Sequence, residues 1–138
     1  MSRFLLDTSA LLALRDDESG AARVGQILKD AKNGGIACYG CFISLMEIFY
    51  RVWRDEGELA GREAYADCLN MPIHWIHESP ELLERAAIIK ATHRLSLADA
   101  WIAASAIEND ATLVHKDPEF ENFPELAEER LPYKTIEL

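Results

Sequence analysis

The sequence predicts an α/β fold, a three-layer α/β/α sandwich built on a central, mainly parallel sheet of about five strands. Two observations predict this class. Short apolar runs alternate along the chain with longer stretches of helical periodicity. The segments between successive strands are also long enough to hold a crossover helix, which parallel strands require. The 138 residues contain no Pro/Gly-rich linker and no internal repeat, so we expect a single domain over 1–138.

The strands are predicted from short runs of apolar and β-branched residues. Runs of this length suit strands that are buried in a parallel sheet. In chain order, the expected strands are 4–6, 36–42, 72–77, 112–115 and 134–136.

The helices are predicted from apolar residues at helical spacing and from capping residues. Asn33-Gly34-Gly35 ends the second helix, Pro80 begins the fifth and Ser96 caps the sixth. Ser44, followed three residues later by Glu47, is the capping pattern expected at the start of the third. In chain order, the expected helices are one that includes Ala10, Leu11 and Leu14, then 22–32, 44–53, 61–68, 80–92 and 96–107.

The formal net charge of −10 limits the partners that the chain can attract. An acidic protein repels phosphate backbones and membrane surfaces unless local cations reverse the sign. Arg15, Arg51, Arg94 and Lys116 are the candidate local cations. No window holds the roughly 18 apolar residues of a membrane span, and Asp7 interrupts the apolar run that an export signal needs. We therefore expect a cytoplasmic protein that does not contact a membrane.

The three cysteines are Cys38, Cys41 and Cys68. Reduced thiols are expected in the cytoplasm. Cys38-x-x-Cys41 has the spacing of a zinc or redox site, and His74-x-x-His77 is the pair that would complete a zinc site. Residues three apart in an extended strand face opposite sides of the sheet, so we favour buried thiols over a shared metal.

Four acidic residues, far apart in the sequence, are expected to meet at one edge of the sheet. Asp7 and Asp117 follow predicted strands, and ligand sites of open parallel sheets lie beyond the carboxyl ends of the strands. Glu47 and Asp99 are placed in the first turns of helices that start at the same edge. Four carboxylates about 6 Å apart would repel by roughly 3 kcal/mol per pair at an effective dielectric near 20. A divalent cation that prefers oxygen ligands, Mg²⁺ or Mn²⁺, would remove this repulsion.

Each of these acids also has a purely structural explanation. Asp7 is a preferred N-cap residue, Glu47 and Asp99 each stand three residues after a serine, as capping-box partners do, and Asp117 precedes a proline, which favours a turn. On this alternative the chain is a binding or regulatory module whose acids serve as helix caps. A receiver domain that accepts a phosphoryl group is a further alternative, but the sequence lacks the adjacent acids that such a domain needs after its first strand.

Four sequence motifs surround the acids. In chain order they are FLLDTSALLAL at 4–14, ISLME at 43–47, SLADAWIAA at 96–104 and LVHKDPEF at 113–120. This ordered set resembles the PIN-domain nucleases, and above all the compact ribonuclease toxins of the VapC type. The resemblance departs at His115, because Thr or Ser is usual two residues before the fourth acid.

The resemblance implies a metal-dependent endoribonuclease that is the toxin of a toxin-antitoxin pair. It assigns Asp7, Glu47, Asp99 and Asp117 as the catalytic and metal-binding acids, with the Ser9 hydroxyl nearby. Asp7 and Asp99 would make the principal contacts to Mg²⁺ or Mn²⁺, Asp117 would be a further ligand, and Glu47 would orient water or a second ion. Metal-activated water would then cut the RNA. The implied partners are an RNA substrate, a small antitoxin protein and a second copy of the chain.

The helix that follows Glu47 carries more apolar surface than one buried stripe uses. Phe49 and Val52 suit packing in the core. Tyr50 and Trp53 are expected to contact a partner, either a second copy of the chain or an antitoxin whose apolar helix lies in a groove.

Overall fold

A computed structural model describes residues 1–121 and 123–133 of the chain. Strands and helices alternate over most of this length. In chain order they are β1 (Ser2–Leu6), α1 (Thr8–Arg15), α2 (Ala21–Lys32), β2 (Ile36–Cys41), α3 (Phe42–Glu56), α4 (Glu58–Leu69), β3 (His74–Ile76), α5 (Pro80–Thr92), α6 (Leu97–Glu108), β4 (Thr112–His115) and β5 (Glu128–Arg130), with a 3₁₀ turn at Pro118–Phe120 before β5.

The described strands form one sheet of five, in the order β3-β2-β1-β4-β5, and all neighbouring pairs are parallel. The chain builds outwards from β1 to β3 on one side and then returns to place β4 and β5 on the other. The strand order therefore reverses between β1 and β4. In open parallel sheets a ligand binds at this switch point, beyond the carboxyl ends of the strands.

Helices cover both faces of the sheet, which confirms the predicted three-layer sandwich. Neighbouring residues of a strand point to opposite faces. Leu5 accordingly packs in the core beneath α5 and α6, whereas Leu6 packs with residues of α1 to α4. Cys41 and Cys38 divide between the same two cores, and all three cysteines are free and buried, as expected. Among the described residues, no helix is both long and apolar enough to cross a bilayer.

The start of α3 differs from the prediction. The helix begins at Phe42, directly after β2, and its N-cap residue Cys41 makes no side-chain cap. Ser44 lies inside the first turn and is buried, with its hydroxyl oxygen 2.9 Å from Thr8 Oγ1. The predicted capping box of Ser44 and Glu47 is therefore wrong, because a tertiary contact uses the serine hydroxyl.

Other boundaries shift by a few residues. α4 is longer than the expected helix at 61–68, and β3 is shorter than the expected strand at 72–77. β5 was not predicted, because its sequence Glu-Glu-Arg carries no apolar signal. The strand expected at 134–136 lies outside the described residues.

Candidate active site

An acidic cavity of about 290 Å³ opens at the switch point of the sheet. It is lined by Asp7, Thr8, Ser9, Glu47, Arg51, Ser96, Asp99, Asp117 and Glu119. The structure thus brings all four of the acids singled out from the sequence to one place, together with a fifth, Glu119. The elements that supply them are the end of β1, the helices α3 and α6, and the segment after β4.

Asp7 is held rigidly at the bottom of the cavity and is only 2% exposed. Its Oδ1 accepts the backbone N–H of Ala10 at 2.8 Å, and the Ser9 hydroxyl lies 2.7 and 2.8 Å from its two oxygens. Ser9 Oγ in turn accepts the N–H of Lys116 at 2.8 Å, which ties the residue after β4 to the start of α1. Asp7 is therefore both the N-cap of α1 and a residue of the acidic cavity.

Burial raises the pKa of Asp7 to about 7. The hydrogen bonds from Ser9 and Ala10 oppose this shift, while the charges of Asp117 and Glu47 add to it. The repulsion among these acids, expected from the sequence, is thus present at this carboxyl group.

Glu47 lies in the second turn of α3, so its expected position in the first turn is wrong. The N-cap residue is Cys41 and not Ser44, so Glu47 is the sixth residue of the helix and not the third. Its carboxylate still points into the cavity. The Thr8 hydroxyl donates to Oε1 at 2.8 Å and Arg51 Nη2 donates to Oε2 at 3.0 Å. Both oxygens are therefore fixed.

Asp99, Asp117 and Glu119 form the tightest group, with one carboxylate oxygen from each lying within 4.8 Å of the others. Ser96 Oγ accepts the N–H of Asp99 at 3.1 Å, so the serine caps α6 as predicted. The capping box is not completed, because the Ser96 N–H donates to Glu119 Oε2 at 3.4 Å. The Asp99 carboxylate is thereby left for the cavity.

Glu119 was missed by the sequence analysis. The 3₁₀ turn after Asp117 brings it back to the cavity, and Asp117 Oδ1 accepts the Glu119 N–H at 3.0 Å. The available signal was the Asp117-Pro118-Glu119 run, in which a turn-forming proline separates two acids.

The donor set fits a divalent cation. Burial, and then hydrogen bonding to Glu119 and Asp117, raise the pKa of Asp99 to about 9. Without a bound cation, Asp99 therefore keeps its proton at neutral pH. Hard divalent ions such as Mg²⁺ and Mn²⁺ prefer carboxylate oxygens of this kind. Among the described residues, the group placed to hold a metal consists of Asp99, Asp117 and Glu119. No cluster of cysteine and histidine with metal-binding geometry is found there. The zinc alternative finds no support there.

The candidate cations are mostly paired. Arg51 lines the acidic cavity but is bound to Glu47. Arg15 forms an ion pair with Glu56, and Lys116 Nζ donates to the Ser19 carbonyl. These three candidate cations therefore already have partners within the chain.

A PIN domain family model matches residues 4–126. The chain belongs to the PIN domain family. No curated protein matched it in a sequence comparison.

Solved structures with the same PIN fold include toxin-antitoxin proteins. VapBC2 from Rickettsia felis, bound to a DNA fragment from its promoter, superposes with a TM-score of 0.75 at 20% identity over 94% of this chain and 99% of that chain. DNA-bound VapBC from Salmonella typhimurium gives 0.75 at 16% identity, over 94% and 98%. VapC20 from Mycobacterium tuberculosis, described as a sarcin-ricin loop cleaving toxin, gives 0.65 at 22% identity, over 85% and 92%.

His115 of this PIN domain lies behind the acidic cavity and does not line it. Its side chain is fully buried, and Nδ1 accepts the backbone N–H of Asp117 at 3.0 Å. Burial holds the pKa of the imidazole below its usual range. The ring thus provides a hydrogen bond at the place where Thr or Ser was expected.

A second, larger depression of about 730 Å³ lies along α3 and α4 of the PIN domain. We call it the apolar groove; its lining is Phe42, Leu45, Met46, Phe49, Tyr50, Trp53, Arg54, Tyr65 and His77. Phe49 stacks on Tyr65 and Trp53 with ring centroids 5.0 and 5.9 Å away. Tyr50 and Trp53 are each 42% exposed, whereas Val52 is buried in the core.

Proposed function

We propose that this PIN domain is a metal-dependent endoribonuclease, the toxin of a toxin-antitoxin pair, and that it acts in the cytoplasm. The observation that carries the proposal is the meeting of Asp7, Glu47, Asp99 and Asp117 in one cavity at the switch point. Membership of the PIN family supports it, as does the shared fold with a toxin described as cleaving the sarcin-ricin loop.

The acids have distinct roles in this proposal. Asp7 and Asp99 would be the principal ligands of Mg²⁺ or Mn²⁺, and Asp117 would be a further ligand. Glu119 is close enough to both Asp99 and Asp117 to join them. When bound, the cation supplies a water of lowered pKa and stabilises charge on the leaving oxygen. The donor set fits this chemistry because the pKa values of Asp7 and Asp99 are raised, so a bound cation would replace protons that these two carboxyl groups otherwise retain.

The residues around the acids limit how the carboxylates can move. Ser9 and the N–H of Ala10 orient Asp7, and Thr8 and Arg51 orient Glu47. A carboxylate held in this way can accept a hydrogen bond from the attacking water without first reorganising. Arg51 also places a cation at the rim, where an RNA phosphate would enter.

Attack by water leaves the RNA 2′-hydroxyl uninvolved. The cleavage products are therefore expected to carry 5′-phosphate and 3′-hydroxyl ends. End-labelled products that carry a 2′,3′-cyclic phosphate would contradict this mechanism.

The decisive experiment removes one acid without changing its size. Asp7→Asn and Asp99→Asn should each abolish Mg²⁺- or Mn²⁺-dependent RNA cleavage and relieve any growth arrest caused by expression. Asp67→Asn makes the same change of charge at an exposed position of α4 and is the matched control. Cleavage that persists in EDTA, or in both cavity variants, would show that the acids are not a catalytic metal site.

We also propose that the apolar groove binds an apolar helix of a small antitoxin, and that the chain forms a homodimer. A groove of this size lined by aromatic rings suits an amphipathic helix. It adjoins the site, since Tyr50 of the groove precedes Arg51 of the acidic cavity. Solved structures with this fold include DNA-bound VapBC proteins and one from Klebsiella pneumoniae described as a toxin-antitoxin complex. Sedimentation of the chain alone at tens of micromolar tests the dimer, and a monomer would contradict it.

A further inference from the structure

A buried histidine lies directly behind one of the proposed metal ligands. We propose that His115 is a positioning residue that fixes Asp117 for metal binding, through the hydrogen bond that its Nδ1 accepts from the Asp117 backbone N–H. This inference rests on the proposed function, in which Asp117 is a ligand. His115 does not line the cavity, so any effect that it has on the site is indirect, and its hydrogen bond to Asp117 is the direct link to a cavity residue.

The contact to Asp117 determines which nitrogen of the ring carries the proton. Because Nδ1 accepts an N–H at 3.0 Å, the proton of the neutral ring is on Nε2. Asp117 is extended, with φ −116° and ψ 115°, and its Oδ1 accepts the N–H of Glu119. The backbone N–H of Asp117 is thus held by the His115 ring, and its carboxylate is held by the backbone N–H of Glu119.

The other ring nitrogen faces the edge strand β5. Nε2 lies 3.5 Å from Glu128 Oε2, and it makes no hydrogen bond of good geometry to any part of the chain that the structure describes. Buried N–H groups are nearly always paired, and the Glu128 carboxylate is within reach of this one. Glu128 is itself oriented by Arg130, whose Nε donates to Oε1 at 2.7 Å. A carboxylate on this side of the ring favours the tautomer with its proton on Nε2, which leaves Nδ1 free to accept.

The ring also packs against the turn that carries Glu119. Its centroid lies 5.0 Å from that of Phe120, which is fully buried. A residue needed only to fill this space would be apolar, since burying a polar ring removes its hydration. Nδ1 instead accepts the Asp117 N–H, and Nε2 faces the Glu128 carboxylate at 3.5 Å. Residues in such positions behind a metal ligand typically change metal affinity by 10- to 100-fold when mutated.

The test compares two substitutions that differ in one acceptor. In His115→Asn, Oδ1 stands as many bonds from the backbone as Nδ1 and can accept from Asp117; His115→Leu fills similar space and accepts nothing. Both variants lose the contact to Glu128, so the difference between them isolates the Nδ1 hydrogen bond. Two quantities are measured on metal-free protein. They are the affinity for Mn²⁺, by electron paramagnetic resonance, and the hydrogen exchange rate of the Asp117 amide, by NMR.

We expect His115→Leu to weaken Mn²⁺ binding by about 10-fold or more and to speed Asp117 exchange by a similar factor. His115→Asn should stay within about threefold of wild type in both. Ile27→Ala, which opens a cavity in the core beside α2, controls for lost stability and should leave Mn²⁺ affinity unchanged. Where the leucine variant does not fold, His115→Gln replaces it, because its amide reaches the Nε2 position and leaves the Nδ1 position empty.

Equal Mn²⁺ affinities and equal exchange rates in the asparagine and leucine variants would overturn the inference and make His115 a packing residue. A wild-type chain that binds no Mn²⁺ would overturn the proposed function instead. The exchange rate of the Asp117 amide then decides by itself whether His115 holds that peptide.

Discussion

The acidic cavity and the apolar groove both use α3, yet they are built in opposite ways. In the cavity, hydrogen bonds hold each of Asp7 and Glu47 in one orientation, although the charges repel one another. In the groove, aromatic rings stack on one another and leave Tyr50 and Trp53 exposed to water. The acidic cavity combines charges that repel one another with side chains held in fixed orientations. The apolar groove is lined mostly by aromatic and apolar side chains. We infer that the cavity suits a small ion and the groove suits a protein surface.

The largest expected effect is a loss of RNA cleavage on changing the acidic cavity, with no change in binding at the apolar groove. Asp99→Asn should lower RNA cleavage by more than about 100-fold, beyond the range for residues that lie behind metal ligands. It should leave self-association and antitoxin binding unchanged, because Asp99 does not line the groove. Cleavage assays and sedimentation on the same preparation measure both. A loss of binding that accompanies the loss of cleavage would show that the regions are coupled.

The converse change should affect the groove alone. Trp53→Ser should weaken binding of an antitoxin by about 2 kcal/mol or more, as expected where a buried aromatic residue is a hot spot, and should leave cleavage intact. Leu59→Ser, at an exposed apolar residue of α4 outside the groove lining, is the matched control. Calorimetric titration gives the affinities. Equal losses in both variants would indicate that the groove has no special role.

The pH dependence of stability should reveal the charges of the cavity. Asp7 and Asp99 have folded-state pKa values of about 7 and about 9, both above the ordinary value of 3.8. Protonation therefore stabilises the folded state fully below about pH 4, and this stabilisation is lost as the pH rises through 7 for Asp7 and through 9 for Asp99. Relative to Asp7→Asn, metal-free wild type should lose roughly 2–4 kcal/mol of unfolding free energy between about pH 4 and 8. Parallel curves from denaturant titrations would contradict this.

A smaller effect distinguishes a metal site from a set of helix caps. Asn caps helices nearly as well as Asp, so the cap alternative expects Asp7→Asn to leave stability unchanged with or without metal. The site proposal expects the variant to gain about 1–3 kcal/mol in EDTA at neutral pH, after screening and proton uptake. Millimolar Mg²⁺ or Mn²⁺ should then raise the melting temperature of wild type much more than that of the variant. Thermal melts that coincide in EDTA would favour the caps.

The parts of the site that topology determines could be predicted from the sequence. Asp7 and Asp117 follow strands, and parallel strands end at one edge, so their meeting required only the correct order of elements. The exact position of Glu47 in its helix could not be predicted, because Ser44 makes a contact with Thr8 that is distant in sequence. Local patterns do not carry such tertiary contacts.

Two further features, the position of Glu119 and the strand β5, could not be predicted from the sequence. Glu119 reaches the cavity through the 3₁₀ turn at Pro118–Phe120, and Phe120 at the end of that turn is buried, a tertiary contact that local sequence patterns do not reveal. The edge strand β5 is short and charged, and it pairs with β4 through backbone groups that any sequence possesses. Prediction from side-chain periodicity is therefore weakest at the edge of the sheet.

The double role of Asp7 bears on how related sequences can be interpreted. On the proposed function, a descendant that had lost catalysis would still be under selection to keep a helix-capping residue at position 7, either Asp or Asn, because the side chain of Asp7 caps α1. The Asp99 side chain has no capping role, since the hydroxyl of Ser96 caps α6. In lineages where the proposed activity has been lost, position 99 should therefore vary freely, whereas position 7 should stay Asp or Asn. Retention of Asp99 is then a better sign of the proposed activity in a relative than retention of a capping residue at position 7.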